Sequence, residues 1–425
     1  MNASDEPLSY YRASANAHTG HPALQGDIDV DVCVVGAGYT GLSAALDLAL
    51  AGYSVAVLEA NVVGYGASGR NGGQICSGYS NSMERIEERI GKEDAAMAWQ
   101  IVDEAVELVG QRVADHGIDC DLKWGYMHLA GKQRQADDLE HMAEEYTRFG
   151  HDDIRLLDKA AVREKIGSDA YVGGLWEKRA GHVHPLNYCL GLADAAVKAG
   201  AKIFENSPVI SVDTGDAPKA HTANGTVSAK FMVLGGNAYL RDTVPFLYRR
   251  LMPVQSYILA TEPLSENMAK SLLPGDEAVA DCNFIVNYFR LSGDRRMLFG
   301  GRASYSTLQP SDLFSFMKPR MTAVFPQLGD AKLDYCWGGY IGITVDRMPH
   351  FGRLGPSTYF AQGFSGHGLS LSGMAGRLMA EAIKGQSERF DVMAKFKHPI
   401  FPGGRFRTPA LVLAMVYYRL KDMLP

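Results

Sequence analysis

Three features predict an α/β protein: a discontinuous Rossmann-like dinucleotide-binding domain joined to a second domain built on a mixed, mostly antiparallel β-sheet. A strand, a glycine turn, a helix and an acid-terminated strand follow one another near the start. Further short apolar strands and glycine turns recur in the middle and near the end. A β-rich stretch separates the last two of these regions.

Residues 29–60 read DVDVCVVGAGYTGLSAALDLALAGYSVAVLEA. Residues 30–35 have the length and β-branched content of a buried strand. Gly36, Ala37, Gly38, Tyr39, Thr40 and Gly41 follow, opening a helix of small residues, and residues 55–58 form the next strand, ending at Glu59. This is the dinucleotide fingerprint in its strand–turn–helix–strand context. Gly36 permits the turn, Gly38 admits a pyrophosphate, and Gly41 lets helix and strand pack closely. The helix amino end carries unpaired N–H groups and roughly half a positive charge, which suits phosphate. Glu59 is placed to accept hydrogen bonds from a ribose.

A second glycine run spans 64–74 and contains Gly66, Ala67, Ser68, Arg70, Asn71, Gly72, Gly73 and Gln74. Residues 83–116 read as amphipathic helix. After GHVHP comes a helix over 186–199, then strands through Ile203 and from Val209 to 212. The strand 230–236 closes on Gly235 and Gly236. SYILATE and NFIVNYFRL are strands within the β-rich region 252–302, and GFSGHG, ending at Gly366, His367 and Gly368, opens a late helix. A nicotinamide dehydrogenase gains nothing obvious from a second glycine run. Extended FAD requires several backbone stretches to approach it, so three such runs favour flavin.

Composition narrows the function. A chain of 425 residues suits two or three domains, and 46% hydrophobic with 21% charged residues is ordinary globular composition. The net charge of −6 offers no basic field, so no nucleic-acid partner is expected. Six cysteines, at 33, 76, 120, 189, 282 and 336, form no CxxC pair and read as reduced thiols. The polar, acidic start resembles neither a signal nor a transit peptide, and the apolar run 409–418 is too short to span a bilayer. A cytoplasmic protein without a transmembrane segment is expected. No metal site is expected, since His182 and His184 lack a third ligand nearby.

GAGYTG with its distal Glu, GASGRNGG, GHVHP, VLGGNAY, WGGYIGITVDRMPHFG and GFSGHG together resemble the D-amino-acid-oxidase-like FAD-dependent oxidoreductases, which include sarcosine and glycine oxidases. SYYRASA, NYFRL with LFGGR, and the tail FPGGRFRTPALVLAMVYYRLKDML resemble members of that family acting on γ-glutamylated amines. The resemblance implies hydride transfer from the carbon beside a neutral amine to flavin N5, giving an imine that hydrolyses to aldehyde and ammonia. It implies cofactor contacts from the residues already named in the three glycine runs, with Ala60, Val209, Gly339 and Leu369.

By the same resemblance His367 lies beside the flavin pyrimidine edge, to hydrogen-bond it or influence amine protonation. Trp337, Tyr288 and Tyr340 are expected as aromatic walls around the small-molecule amine. Arg290, Arg302 and Arg347 are candidates for a substrate carboxylate. Sarcosine oxidase binds its flavin through a cysteine in the segment matching 339–344. Gly339 stands at that position here, and 64–74 holds no histidine, so non-covalent FAD is expected. That enzyme also carries a lysine above the flavin. Residues 284–302 hold none, which leaves O2 or another electron acceptor open.

The implied partition assigns 28–83, 152–242 and 335–388 to the FAD domain, 84–151 and 243–334 to the substrate domain, and 389–425 to a tail with an apolar helix. Two rival readings stand beside γ-glutamylated amine oxidation. One is a sarcosine- or glycine-oxidase-like activity on an N-methyl or small amino acid. The other is a non-catalytic FAD-binding or membrane-docking protein using the helix at 409–420.

Overall fold

The computed structural model of the protein describes residues 8–304, 312–402 and 404. The expected apolar helix at 409–420 and the side chain of Arg302 lie outside the described residues. Two sheets organise the rest. The first has Ile28–Val35 at its centre, parallel to Gly225–Leu234 on one side and Val55–Leu58 on the other. Lys202–Phe204 extends it in parallel beyond Val55–Leu58. Thr358–Gln362 adds in parallel to Gly225–Leu234, and His350–Leu354 closes that edge antiparallel.

The central strands are apolar on both faces because both faces are covered, as parallel sheets require. Val32 and Val34 face the helices Tyr39–Leu50 and Gly368–Ile383, while Cys33 and Val35 face a smaller core with Met232 and Phe360. The two helices pack closely: a methyl group added at Gly376 falls 2.3 Å from the Thr40 carbonyl oxygen.

Among the described residues the second sheet has nine strands and is antiparallel except where Lys123–Ala130 runs parallel to Ala278–Asp281. Its order is Leu333–Ile343, Met252–Thr261, Met297–Ser304, Tyr288–Leu291, Ala278–Asp281, Lys123–Ala130, Gly173–His182 and Gln74–Ile75, with Ile154–Asp158 also on Gly173–His182. Strand alternation divides its side chains between cores. Cys336 enters the core under helix Leu313–Val324, whereas Trp337 enters the core shared with the first sheet.

Several boundaries differ from the sequence reading. Ile154–Asp158, Gly173–His182 and Leu333–Ile343 from residue 335 onward fall in stretches that the partition gave to the FAD domain, yet they are hydrogen-bonded into the second sheet. The 83–116 stretch is two helices, Met83–Ile90 and Lys92–His116, because Gly91 breaks it at φ 85°. Only Tyr288–Leu291 of NFIVNYFRL is strand, since Asn283 and Asn287 instead bind the Asp281 carboxylate. Val209 precedes the strand Ser211–Asp213 rather than belonging to it.

Candidate cofactor and active site

The two sheets meet around a cavity of about 1520 Å³, larger than the usual range of roughly 300–1,000 Å³ for a small-ligand pocket. One end is made by the fingerprint turn. Gly36 adopts φ 104° and donates to the Leu58 carbonyl at 2.8 Å. A methyl group there would lie 3.2 Å from Gly236 N, so the first turn presses directly on the Gly235–Gly236 pair. At Gly38 a methyl group would meet Ser68 Oγ at 2.7 Å, and at Gly41 the Gly36 carbonyl at 2.0 Å. The Ser68 hydroxyl accepts from the Tyr39 N–H at 3.0 Å, which ties the second glycine run to the helix start. No side chain caps this helix.

Glu59 completes that end. Its Oε2 accepts from the Ala37 N–H at 2.8 Å and its Oε1 from the Asn61 N–H at 3.0 Å. Burial pushes its carboxyl pKa up, against the pull of those N–H groups. A ribose hydroxyl donating here would favour the charged form. Ala60, Gly66, Ala67 and Thr40 line the same part.

The second glycine run is folded by Asn71, which donates to the carbonyls of Ala67 and Ser68 at 3.0 and 2.9 Å and accepts from Gly73 N–H at 2.7 Å. Arg70 Nε donates to the Gly338 carbonyl at 2.8 Å, and Trp337 Nε1 donates back to the Arg70 carbonyl at 3.1 Å. The run is thereby stitched to strand Leu333–Ile343, where Gly339 and Tyr340 line the cavity.

Tyr288 is clamped between glycines. A methyl group on Gly300 would lie 2.0 Å from its ring, and one on Gly72 would lie 2.9 Å away. Its hydroxyl meets Ser256 Oγ at 3.2 Å. At the helix start, His367, Gly366, Gly368 and Leu369 line the cavity, and no side chain caps the helix. Ser80 donates its one hydroxyl hydrogen to the Ser365 carbonyl at 2.9 Å, so it accepts from His367 Nδ1–H at 2.6 Å. That tautomer leaves Nε2 as an acceptor. Burial and the neighbouring His128 lower the His367 pKa to about 4, keeping the ring neutral.

The structure therefore gathers most of the expected residues, Gln74, Tyr39 and Arg347 included, around one cavity. It leaves out four. Gly41 and Gly73 act in backbone packing, Gly73 against the Val183 carbonyl and the Arg290 guanidinium. Val209 packs in the smaller core under the first sheet. Trp337 is fully buried against Tyr11, 5.1 Å between ring centroids, and walls nothing open. Arg290 is spent on the carbonyls of Gly72, Val183 and Leu291, so it is no carboxylate ligand. Arg347 lines the cavity, its guanidinium 5.0 Å from the Phe284 ring centroid. Among the described residues no lysine lines the cavity, and no group of His, Cys, Asp or Glu is arranged to hold a metal.

Sequence reasoning missed Ser80, Tyr126, His128 and Asn237, all on the cavity wall. Tyr126 and His128 share a face of strand Lys123–Ala130 by alternation, a signal present in the sequence, but nothing there shows which way the face points.

These features define a flavoprotein oxidoreductase. The family described as FAD dependent oxidoreductase (DAO) matches residues 31–382, and the chain belongs to it. It uses FAD. Over 418 residues it is 43% identical to γ-glutamylputrescine oxidoreductase of Escherichia coli K12, covering 98% of each chain. A probable oxidoreductase of Haemophilus influenzae is 42% identical, covering 97% of both. Among solved structures, glycine oxidase from Geobacillus kaustophilus superposes with a TM-score of 0.73 at 22% identity, covering 87% of this chain and 99% of that one.

The cradle fits FAD by its own geometry: glycines where a methyl group would collide, an uncapped helix start, and a buried carboxylate raised in pKa. No helix among the described residues is long and apolar enough to cross a membrane.

Proposed function

We propose that the protein oxidises a primary amine bearing a γ-glutamyl group, γ-glutamylputrescine or a close relative, to aldehyde and ammonia. One observation carries this reading: a chain aligned over nearly its whole length with a γ-glutamylputrescine oxidoreductase has one cavity running from the Glu59 cradle to an aromatic and histidine-lined end. FAD, held non-covalently, supplies the two-electron acceptor. The glycine runs and Glu59 hold its phosphates and ribose. Tyr288, fixed in its glycine slot, and Tyr340 flank the reacting amine. Arg347 offers a guanidinium to the glutamyl carboxylate, a bidentate pairing to which Arg is suited.

Non-covalent binding has support at Cys336, which points into the core away from the cavity, its thiol pushed up to about 12 by burial. Cys76 and Cys282 line the cavity, and burial pushes both of these thiols up to about 12 as well, away from the reactive thiolate. Acid precipitation is expected to release all the yellow colour into the supernatant.

Anaerobic flavin bleaching with γ-glutamylputrescine, putrescine, sarcosine and glycine tests the substrate. γ-Glutamylputrescine is expected to reduce the flavin with the highest second-order rate constant. Faster reduction by sarcosine or glycine would replace this reading with a small-amino-acid oxidase.

A further inference from the structure

Behind the cavity wall lies a buried ion cluster that the reading above does not use. His128, on strand Lys123–Ala130, lines the cavity and places Nε2 2.9 Å from Glu177 Oε1. Glu177, on the adjoining strand Gly173–His182, is fully buried. Its second oxygen faces His151 Nε2 at 3.7 Å, and neither of those two atoms makes a hydrogen bond. His151 Nδ1 in turn sits 3.2 Å from Asp103 on helix Lys92–His116. Burying carboxylates this far from water is costly unless they are paired. A carboxylate so placed against a cavity-lining imidazole is a functional candidate.

Three histidines line this cavity. His141 is exposed on helix Gln133–Arg148 beside Glu144, and the surroundings of the other two differ. His367 has a serine for a partner, and burial holds it neutral down to about 4. His128 has a full negative charge against it. Burial opposes the Glu177 charge, but His128 and His151 hold its pKa down to about 2. The carboxylate accepts the His128 Nε2–H, so in the neutral ring Nδ1 is the lone-pair nitrogen. The other titratable groups around His128 are Tyr126, 4.9 Å away between ring centroids, with Tyr146, Asp281 and His367 on neighbouring elements.

We propose that His128 is the base that takes the proton from the incoming ammonium substrate, and that Glu177, held by His151, is its positioning residue. An alkylammonium resembles a lysine side chain, with a pKa near about 10.4, so roughly one molecule in a thousand is neutral at pH 7.4. Oxidation at the neighbouring carbon needs the nitrogen lone pair free. The N–H bond of the substrate breaks, its proton bonds to His128 Nδ1, and the lone pair stays on the amine. The charge moves from ammonium to imidazolium, where Glu177 balances it. No electron leaves in this step. The inference rests on the amine reading proposed above.

The test compares wild type with His128→Gln and Glu177→Gln as FAD-loaded proteins, each checked first for flavin content and thermal midpoint. Anaerobic reduction by saturating amine is followed from pH 7 to 10.5. His128→Gln is expected to lose on the order of 100-fold at pH 7.5, as for loss of a general base. It should return to within about threefold of wild type near pH 10.5, where the substrate is already neutral. Glu177→Gln should show the same recovery with a smaller loss of about 10-fold. High pH cannot rescue a merely distorted site.

Binding gives a second readout. A substrate analogue without hydrogen on its α-carbon is titrated by the flavin absorbance change. Its affinity should be flat with pH in wild type and climb steeply with pH in His128→Gln. A His128→Gln rate profile parallel to wild type overturns the inference, as does an affinity with the wild-type pH dependence. A wild type that no amine reduces overturns the amine reading itself, and this inference with it.

Discussion

Replacing Glu59 by alanine separates the cofactor role of this acid from its structural one. In the folded protein without ligand, the carboxylate accepts two backbone N–H groups, at 2.8 and 3.0 Å. Its removal leaves both donors without that partner. The same removal relieves a buried charge whose cost outweighs those contacts, as the upward displacement of its pKa shows. The two effects offset, so the apoprotein midpoint should move by no more than about 4 °C. FAD binding has no such compensation. The ribose loses one charge-assisted hydrogen bond, about 1.5–3 kcal/mol, or about 10- to 150-fold in Kd. Glu59→Gln, which keeps an acceptor, should fall between. Quenching of FAD fluorescence on titration with apoprotein measures the Kd, and calorimetry measures the midpoint. A Glu59→Ala Kd within threefold of wild type would refute the ribose assignment. A collapse of the apoprotein would instead make Glu59 a structural residue.

Other expectations follow from particular contacts. Gly300→Ala pushes a methyl group to 2.0 Å from the Tyr288 ring, so the ring must leave its slot; KM for the amine should rise about tenfold or more while FAD content holds. His367→Ala should retain FAD, because the backbone of Gly368 and Leu369 is untouched, and slow anaerobic reduction by ~10–100-fold; a change within twofold would leave His367 as a cap only. His151 is raised to about 9, since Asp103 and Glu177 outweigh its burial. A raised histidine pKa gives stability that is full below about pH 6.5 and fades as pH climbs through about 9. His151→Asn should flatten that decline in thermal midpoints taken between pH 6 and 9.5. Wild-type and variant curves of equal slope would show that the ion cluster does not titrate in this way.

The first glycine turn was legible because everything it needs is local: strand, turn, helix and acid lie within one short stretch. At Gly38 and Gly41 the backbone itself leaves no room for a side chain, an added methyl group meeting Ser68 Oγ at 2.7 Å and the Gly36 carbonyl at 2.0 Å. Side chains on the second sheet were harder. Trp337 and Tyr340 lie on one strand, and only its pairing with Met252–Thr261 and the docking of the 64–74 run decide that one is walled in and the other open. Arg290 looked like a carboxylate ligand because a sequence shows its charge and not the three carbonyls awaiting it. That Ile154–Asp158 and Gly173–His182 pair into the second sheet was hidden for a related reason. Strand content is readable, but sheet membership depends on partners far away in the chain. His128 was invisible for the same cause, since Glu177 reaches it across a sheet and not along a helix.

The stitching of the cavity wall has a consequence for biogenesis. Ser80 meets His367 across 287 positions, and Arg70 meets Gly338 across 268. A nascent chain displaying the fingerprint turn has half a socket, with the far part of the cavity wall still unsynthesised. Flavin capture is therefore expected to be a late event, coupled to docking of helix Gly368–Ile383 on helix Tyr39–Leu50. Starved of riboflavin, cells would accumulate a chain in which helix Gly368–Ile383 lacks its cofactor-side support, and that helix is where proteolysis should begin.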